Sequence, residues 1–278
     1  MRVTIRELKD MYRRGEKIAM LTAYDYTTAR IVEAAGVPII LVGDSLGNVV
    51  LGYDTTVPVT MDEMLHHIKA VVRGTQKAHI VADMPFMSYQ VDPADALINA
   101  GRLMKEGRAQ SVKLEGGPQV TEAVERIVQA GIPVMGHIGL TPQSVNQLGG
   151  FRVQGKTSAG AARLVQDALA LQDAGVYSIV LEMVPAPLAK LITARMAVPT
   201  IGIGAGVHCD GQVQVIHDIL GLTPPLRHAR RYAELGDATH GAVTEFVAEV
   251  QSRSFPNDEE SHAMDQEAVE RLAASLPA

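Results

Sequence analysis

The sequence predicts an α/β protein built as a (β/α)8 TIM barrel, and three observations carry that expectation. Short β-rich runs alternate with helical stretches along nearly the whole chain. Most of these runs lack polar alternation, as strands do when a parallel sheet is covered on both faces. Ionisable residues sit at the exits of many runs, whereas a doubly wound sheet, the main rival, would gather them at one switch point.

The runs are "KIAMLTA" (17–23), "PIILVGD" (38–44), "HIVADMP" (79–85), "SVKLEGG" (111–117), "PVMGHIG" (133–139), "SIVLEMV" (178–184) and "PTIGIGAG" (199–206). A weaker eighth is "QVQVIHD" (212–218). Between them, "TMDEMLHHIKAVVRG" and "TEAVERIVQAG" place apolar residues at three and four spacing, the period of a helix with one buried face. The first opens on a capping box, Thr60 with Glu63 three residues later. Helix exits share one device: Ala-Gly-Val-Pro at 35–38, Ala-Gly-Ile-Pro at 130–133 and Ala-Gly-Val-Tyr at 174–177. The glycine accepts the left-handed cap conformation, and a following proline ends the helix before the next strand.

The 278 residues suit one large α/β domain or two smaller ones, and no internal stretch reads as a linker. The expectation is therefore one barrel domain over 1–251. From Ser252 the chain turns polar and then weakly amphipathic, which predicts a peripheral tail or helix over 252–278.

Composition narrows the function. With 47% hydrophobic and 20% charged residues the chain reads as globular. A net charge of −6 and no basic stripe interleaved with aromatics exclude a nucleic-acid surface. No apolar run reaches membrane-spanning length, and the charged N-terminal stretch is not a secretory signal. One cysteine, Cys209, excludes an internal disulfide framework. The expected compartment is the cytoplasm.

"IILVGDSLG" (39–47) poses the central question, because a buried apolar strand breaks at Gly43 to deliver an aspartate, Asp44. An unpaired charge inside a strand is costly. At a strand exit it is held rigidly and faces whatever lies above the barrel. The other exits follow suit: Ser45 beside Asp44, then Asp83, Lys113 with Glu115, His137 and Glu182. Each alone has a bland reading, as a turn former, a helix cap or a structural ion pair. Six ionisable groups converging on one rim have none.

Asp44, Asp83 and Glu115 offer hard oxygen ligands, which suit Mg²⁺ and not a structural zinc. Coordination positions left open fit the carboxylate and keto oxygens of a 2-oxo acid, with the metal as Lewis acid stabilising an enolate. Glu182, in apolar "IVLEMVP", is the expected base, its basicity raised by desolvation. Lys113 and His137 would supply charge or hydrogen bonds to substrate oxygens. "GIGAG" (202–206) is GxGxG and not GxGxxG, so a close-approach turn outweighs a nucleotide site. The connection 136–157 is a lid or a plain surface loop on equal terms. His66 and His67 are adjacent on a helix and cannot share a face as metal ligands.

The ordered blocks "TAYDY", "LVGDSLG", "ADMPF", "VKLEGG", "GHIGLTPQS", "GGFRVQGKT", "LEMVP" and "IGIGAG…CDGQV" closely resemble the 3-methyl-2-oxobutanoate hydroxymethyltransferase family, from about Thr4 to at least Gly221. That resemblance implies a barrel related to the phosphoenolpyruvate mutase and isocitrate lyase group. It implies one Mg²⁺ per subunit and 5,10-methylenetetrahydrofolate as co-substrate for making ketopantoate on the route to pantothenate. Carried over by motif, Asp44, Asp83 and Glu115 hold the metal, Glu115 through a water. Asp44, Ser45, Asp83, Lys113 and His137 bind the 2-oxo acid, and Glu182 deprotonates C3. It also implies a cytoplasmic homo-oligomer, a decamer built as a pentamer of dimers. Asn48 and Met183 depart from the residues frequent in the family but touch none of these ligands. No motif marks the folate pocket, though the loop 146–157 and "GIGAG" are candidates.

Three rivals remain at this point. A Mg²⁺-dependent 2-oxo acid lyase or mutase of the same superfamily would carry a cysteine-bearing loop that this chain lacks. A class I aldolase would form a Schiff base on Lys113. A metabolite-binding barrel would have no need of a candidate base.

Overall fold

The computed structural model describes residues 1–277. Eight parallel strands close into a barrel in chain order: β1 Ile18–Thr22, β2 Ile39–Val42, β3 His79–Asp83, β4 Ser111–Glu115, β5 Val134–Gly139, β6 Ser178–Glu182, β7 Thr200–Ile203 and β8 Gly211–Gln214. β1 pairs with both β2 and β8, which completes the ring.

Two apolar cores explain why the strands lack polar alternation. Ile39 and Leu41 of β2 face the barrel interior together with Val81, Met135, Val180 and Ile201. Their neighbours Ile40 and Val42 face outward, into the layer shared with the surrounding helices. Leu8, on the helix Ile5–Arg13, joins the interior cluster beside Ile18, Met20 and Ile39 at the N-terminal ends of the strands. The opposite end is left for polar groups.

Local signals in the sequence are realised. The helix Met61–Gly74 begins with the capping box of Thr60 and Glu63. Gly36, Gly131 and Gly175 at the three helix exits have φ of 87°, 86° and 97°, the left-handed region that favours glycine. The connection 136–157 is less open than a loop: it contains the end of β5, a 3₁₀ turn at Pro142–Ser144 and a helical turn at Val145–Leu148. Its far end is clamped, since Gln154 N donates to Met183 O at 2.9 Å and a side chain at Gly155 would meet Leu188 and Leu164.

Beyond the barrel run an 18-residue helix, Leu235–Ser252, and a shorter one, Gln266–Ser275. None of residues 221–277 is buried. No helix among the described residues is long and apolar enough to cross a membrane.

Candidate active site

Side-chain parity explains how the exits converge. Asp83, Lys113, Glu115, His137 and Glu182 lie an even number of residues after the interior-facing Val81, Ser111, Met135 and Val180, and a strand sends such residues to one face. They continue the barrel's inner lining at its C-terminal mouth. Asp44 lies just past β2, where the chain turns. At Gly43 a Cβ would lie 2.9 Å from Ser45 Oγ and 3.4 Å from Asp83 Oδ2. The missing side chain leaves room for Asp44 N to donate to Asp83 Oδ2 at 3.2 Å. Gly43 is what lets the two carboxylates approach.

All the predicted residues line one cavity of about 430 Å³. Lys113 Nζ lies 2.6 Å from Asp83 Oδ1 and 3.2 Å from His137 Nδ1. His137 stands between two carboxylates, Nδ1 at 3.4 Å from Glu115 Oε1 and Nε2 at 3.3 Å from Glu182 Oε2. The second contact is a charge contact, because Nε2 has no aligned hydrogen bond. Glu182 is more open than the flanking sequence suggests: its side chain is 17% exposed, against 2% for Asp83 and 3% for Glu115. Ser45 Oγ shares a 2.8 Å hydrogen bond with the Tyr24 hydroxyl.

Burial and mutual repulsion dominate the electrostatics. Burial, then the charges of Asp83 and Glu115, push the Asp44 carboxyl well above the usual carboxylate range. Burial also raises Asp83, against the opposing pull of Lys113. For Glu115, burial is outweighed by His137 and Lys113, and its carboxyl is held low. Burial and Lys113 pull the His137 imidazole down, but Glu115 and Glu182 outweigh both and push it up to about 9. Burial opposes the charge on Lys113, yet Asp83, Glu115 and Asp44 hold it firmly protonated. A lysine so held is no Schiff-base nucleophile, which needs the neutral amine.

Among the described residues no three His, Cys, Asp or Glu side chains already form a metal cage. Mg²⁺ does not require one, since it is bound through one or two carboxylates and keeps waters or substrate oxygens. The donor set fits it. Asp44 gives one oxygen to Gln143 and keeps the other free, and Lys113, 2.6 Å from Asp83 Oδ1, leaves the repulsion of Asp83 and Glu115 on Asp44 only partly offset.

Gln143 is the residue that sequence reasoning missed. It is 4% exposed and sits in the 3₁₀ turn after β5. Its Nε2 donates to Asp44 Oδ2 and to Met84 O, both at 2.9 Å. Its Oε1 accepts from the Tyr89 hydroxyl at 2.6 Å and from Gln90 Nε2 at 3.3 Å. Its backbone N donates to Glu115 Oε2 at 3.1 Å. One neutral residue thus ties two acids of the site together.

Comparison with known proteins adds to the geometry. A family model described as ketopantoate hydroxymethyltransferase matches residues 2–258. The chain is 61% identical over 274 residues to a 3-methyl-2-oxobutanoate hydroxymethyltransferase of Dehalococcoides mccartyi, covering 98% of both chains. It is 58% identical over 273 residues to the one from Carboxydothermus hydrogenoformans, covering 98% of this chain and 99% of that one. Among solved structures, phosphonopyruvate hydrolase aligns with a TM-score of 0.62 at 12% identity, over 98% of each chain. 2,3-Dimethylmalate lyase, of the PEP mutase and isocitrate lyase superfamily, aligns with a TM-score of 0.59 at 16% identity, over 98% of this chain and 95% of that one. These two likenesses concern the fold.

Proposed function

This chain belongs to the ketopantoate hydroxymethyltransferase family and transfers a hydroxymethyl group to 3-methyl-2-oxobutanoate in pantothenate biosynthesis; from that premise we propose how its own side chains carry the reaction. The family's activity implies 5,10-methylenetetrahydrofolate as the one-carbon co-substrate.

In this reading Asp44, Asp83 and Glu115 hold one Mg²⁺ per subunit, which supplies Lewis acidity at the keto oxygen. Ser45, Lys113 and His137 bind the 2-oxo acid, and Asp44 and Asp83 fix its position. The Lys113 ammonium, buried beside Asp83, meets the substrate's anionic oxygens where water is scarce and charge interactions are strong. Glu182, opposite Glu115 across His137, takes the proton from C3. His137 Nε2, 3.3 Å from Glu182 Oε2, holds that carboxylate in position to accept. C3 then forms its bond to the folate's one-carbon unit, and both carbon–nitrogen bonds that tie this carbon to folate break. Water supplies the hydroxyl oxygen, and the freed nitrogens take up the protons, leaving tetrahydrofolate.

The observation that carries this reading is the arrangement of His137 between Glu115 and Glu182 beside the Lys113–Asp83 pair. A merely metabolite-binding barrel has no use for an open carboxylate held against a cation. The test is Glu182→Gln, followed by proton NMR in D₂O. The variant should still bind the keto acid but exchange its C3 proton at least about 100-fold more slowly, as removal of a general base does. Exchange at the wild-type rate would show that another group is the base.

The same reading takes residues 1–251 as the catalytic domain, with 252–278 as a peripheral tail, in a cytoplasmic enzyme whose one cysteine, Cys209, is unpaired. It also takes the protein as a homo-oligomer, a decamer of five dimers. Support comes from the helix Leu235–Ser252, which exposes Val243, Phe246, Val247 and Val250 at helical spacing. Sedimentation equilibrium should give ten chains; a monomer at micromolar concentration would contradict the assembly.

A further inference from the structure

The cavity continues past the acids toward the end of β8, where Ile203, Gln214, Asp218, Thr223, Leu226 and His228 line it. None of the steps above uses this end. Asp218 is 7% exposed, and among the described residues its carboxylate accepts one hydrogen bond, from Thr223 Oγ1. Gln214 donates through Nε2 to His228 O at 3.1 Å, while its Oε1 is buried with no partner. Gln214 Oε1 thus lacks a donor and the Asp218 carboxylate has only one. Acceptor capacity is left over in a region otherwise walled by Ile203, Leu226 and Met183. Burying such groups unpaired is unfavourable, so the site is built for a ligand that brings donors on a flat apolar body. Tyr24 links this end to the acids: its hydroxyl bonds Ser45, and its ring lies 5.6 Å from that of His217, the neighbour of Asp218.

We infer that Asp218 and Gln214 form the subsite for the pteridine ring of the folate co-substrate. The inference rests on the hydroxymethyltransferase reading. The pteridine carries a ring N–H and a 2-amino group side by side, a pair of donors that matches a carboxylate in a two-pronged hydrogen bond. The Gln214 oxygen takes a further ring donor, and the apolar walls enclose the ring faces. The site also explains why the cavity extends beyond what a five-carbon keto acid fills.

The test uses the full-length enzyme, calorimetric titration with 5-formyltetrahydrofolate, and the variants Asp218→Asn and Gln214→Leu. Asp218→Asn should weaken folate binding about 10- to 100-fold, as loss of a charged hydrogen-bond partner does, and raise the KM for methylenetetrahydrofolate. A 2-desamino analogue should bind wild type and Asp218→Asn alike. Gln214→Leu, which keeps the carboxylate, should also weaken the folate. Wild-type folate affinity in both variants would overturn the subsite. Exchange of the C3 proton without folate is the internal control. If the variants keep it while losing folate, the two ends are separate as inferred. If wild type itself lacks it, the catalytic reading fails and the subsite is judged on folate binding alone.

Discussion

Gln143 shows how much of the site's order rests on a residue with no charge. Its amide is fixed by partners at both ends: acceptors at Asp44 and Met84 face the nitrogen, donors at Tyr89 and Gln90 face the oxygen. Reversing the amide would set its oxygen against Met84 O and its nitrogen against Gln90 Nε2. Gln143→Ala should therefore lower kcat/KM about 10- to 100-fold, the range for losing a hydrogen bond to a charged group. It should also raise the Mg²⁺ concentration needed for half-maximal keto-acid binding, with little change in melting temperature. Tyr89→Phe should shift the same metal dependence less, because it frees the amide without removing it. Unchanged metal dependence in Gln143→Ala would make the residue merely structural. The charged members of this site were legible because each stands at the exit of an apolar run, where only function explains a charge. Gln143 was not, because a glutamine after Thr-Pro in a short turn looks like any surface residue. Asp218 was passed over for a different reason. β8 stops at Gln214, four residues before the end of the run that the sequence suggests, so Asp218 lies on the following turn and not within a strand.

At the scale of the elements, the sequence located the strands well because both of their faces are apolar, and it located helix ends through glycine. What it could not show was which polar residues the strands bury at their N-terminal ends. His79 opens β3 and is 1% exposed, with Nδ1 at 3.0 Å from Val3 O and Nε2 at 2.8 Å from Ser111 Oγ. Burial pushes its imidazole down to about 4, so it is neutral in the folded protein. The unfolded chain, with an ordinary imidazole near 6.5, binds the proton first as pH falls. Stability from this residue is thus full above pH 6.5 and is lost between about pH 6.5 and 4, by about 3 kcal/mol in all. Urea unfolding at pH 7 and at pH 4.5 checks this. His79→Gln should lose stability at pH 7 but fall less between the two pH values than wild type. An equal fall in both proteins would remove His79 from the acid response.

Over the whole molecule, the barrel divides its labour along its axis. Leu8 and the apolar interior close one end, while the other end gathers four acids, a lysine and a histidine into a cavity. Right-handed βα repetition brings residues far apart in sequence to one mouth, which is why the strand exits in the sequence are enough to show the site. The outward-facing helix Leu235–Ser252 was not readable in the same way, since its exposed apolar stripe resembles one that packs on a core. In the proposed mechanism this mouth removes the C3 proton of 3-methyl-2-oxobutanoate with the help of a divalent cation and joins C3 to a one-carbon unit. The most direct test is proton NMR of the keto acid in D₂O with the purified wild-type enzyme, with Mg²⁺, with EDTA, and then with methylenetetrahydrofolate. Loss of the C3 proton signal with Mg²⁺ and not with EDTA, followed by ketopantoate when folate is added, is the expected result. Persistence of the C3 signal under every condition would contradict the claim.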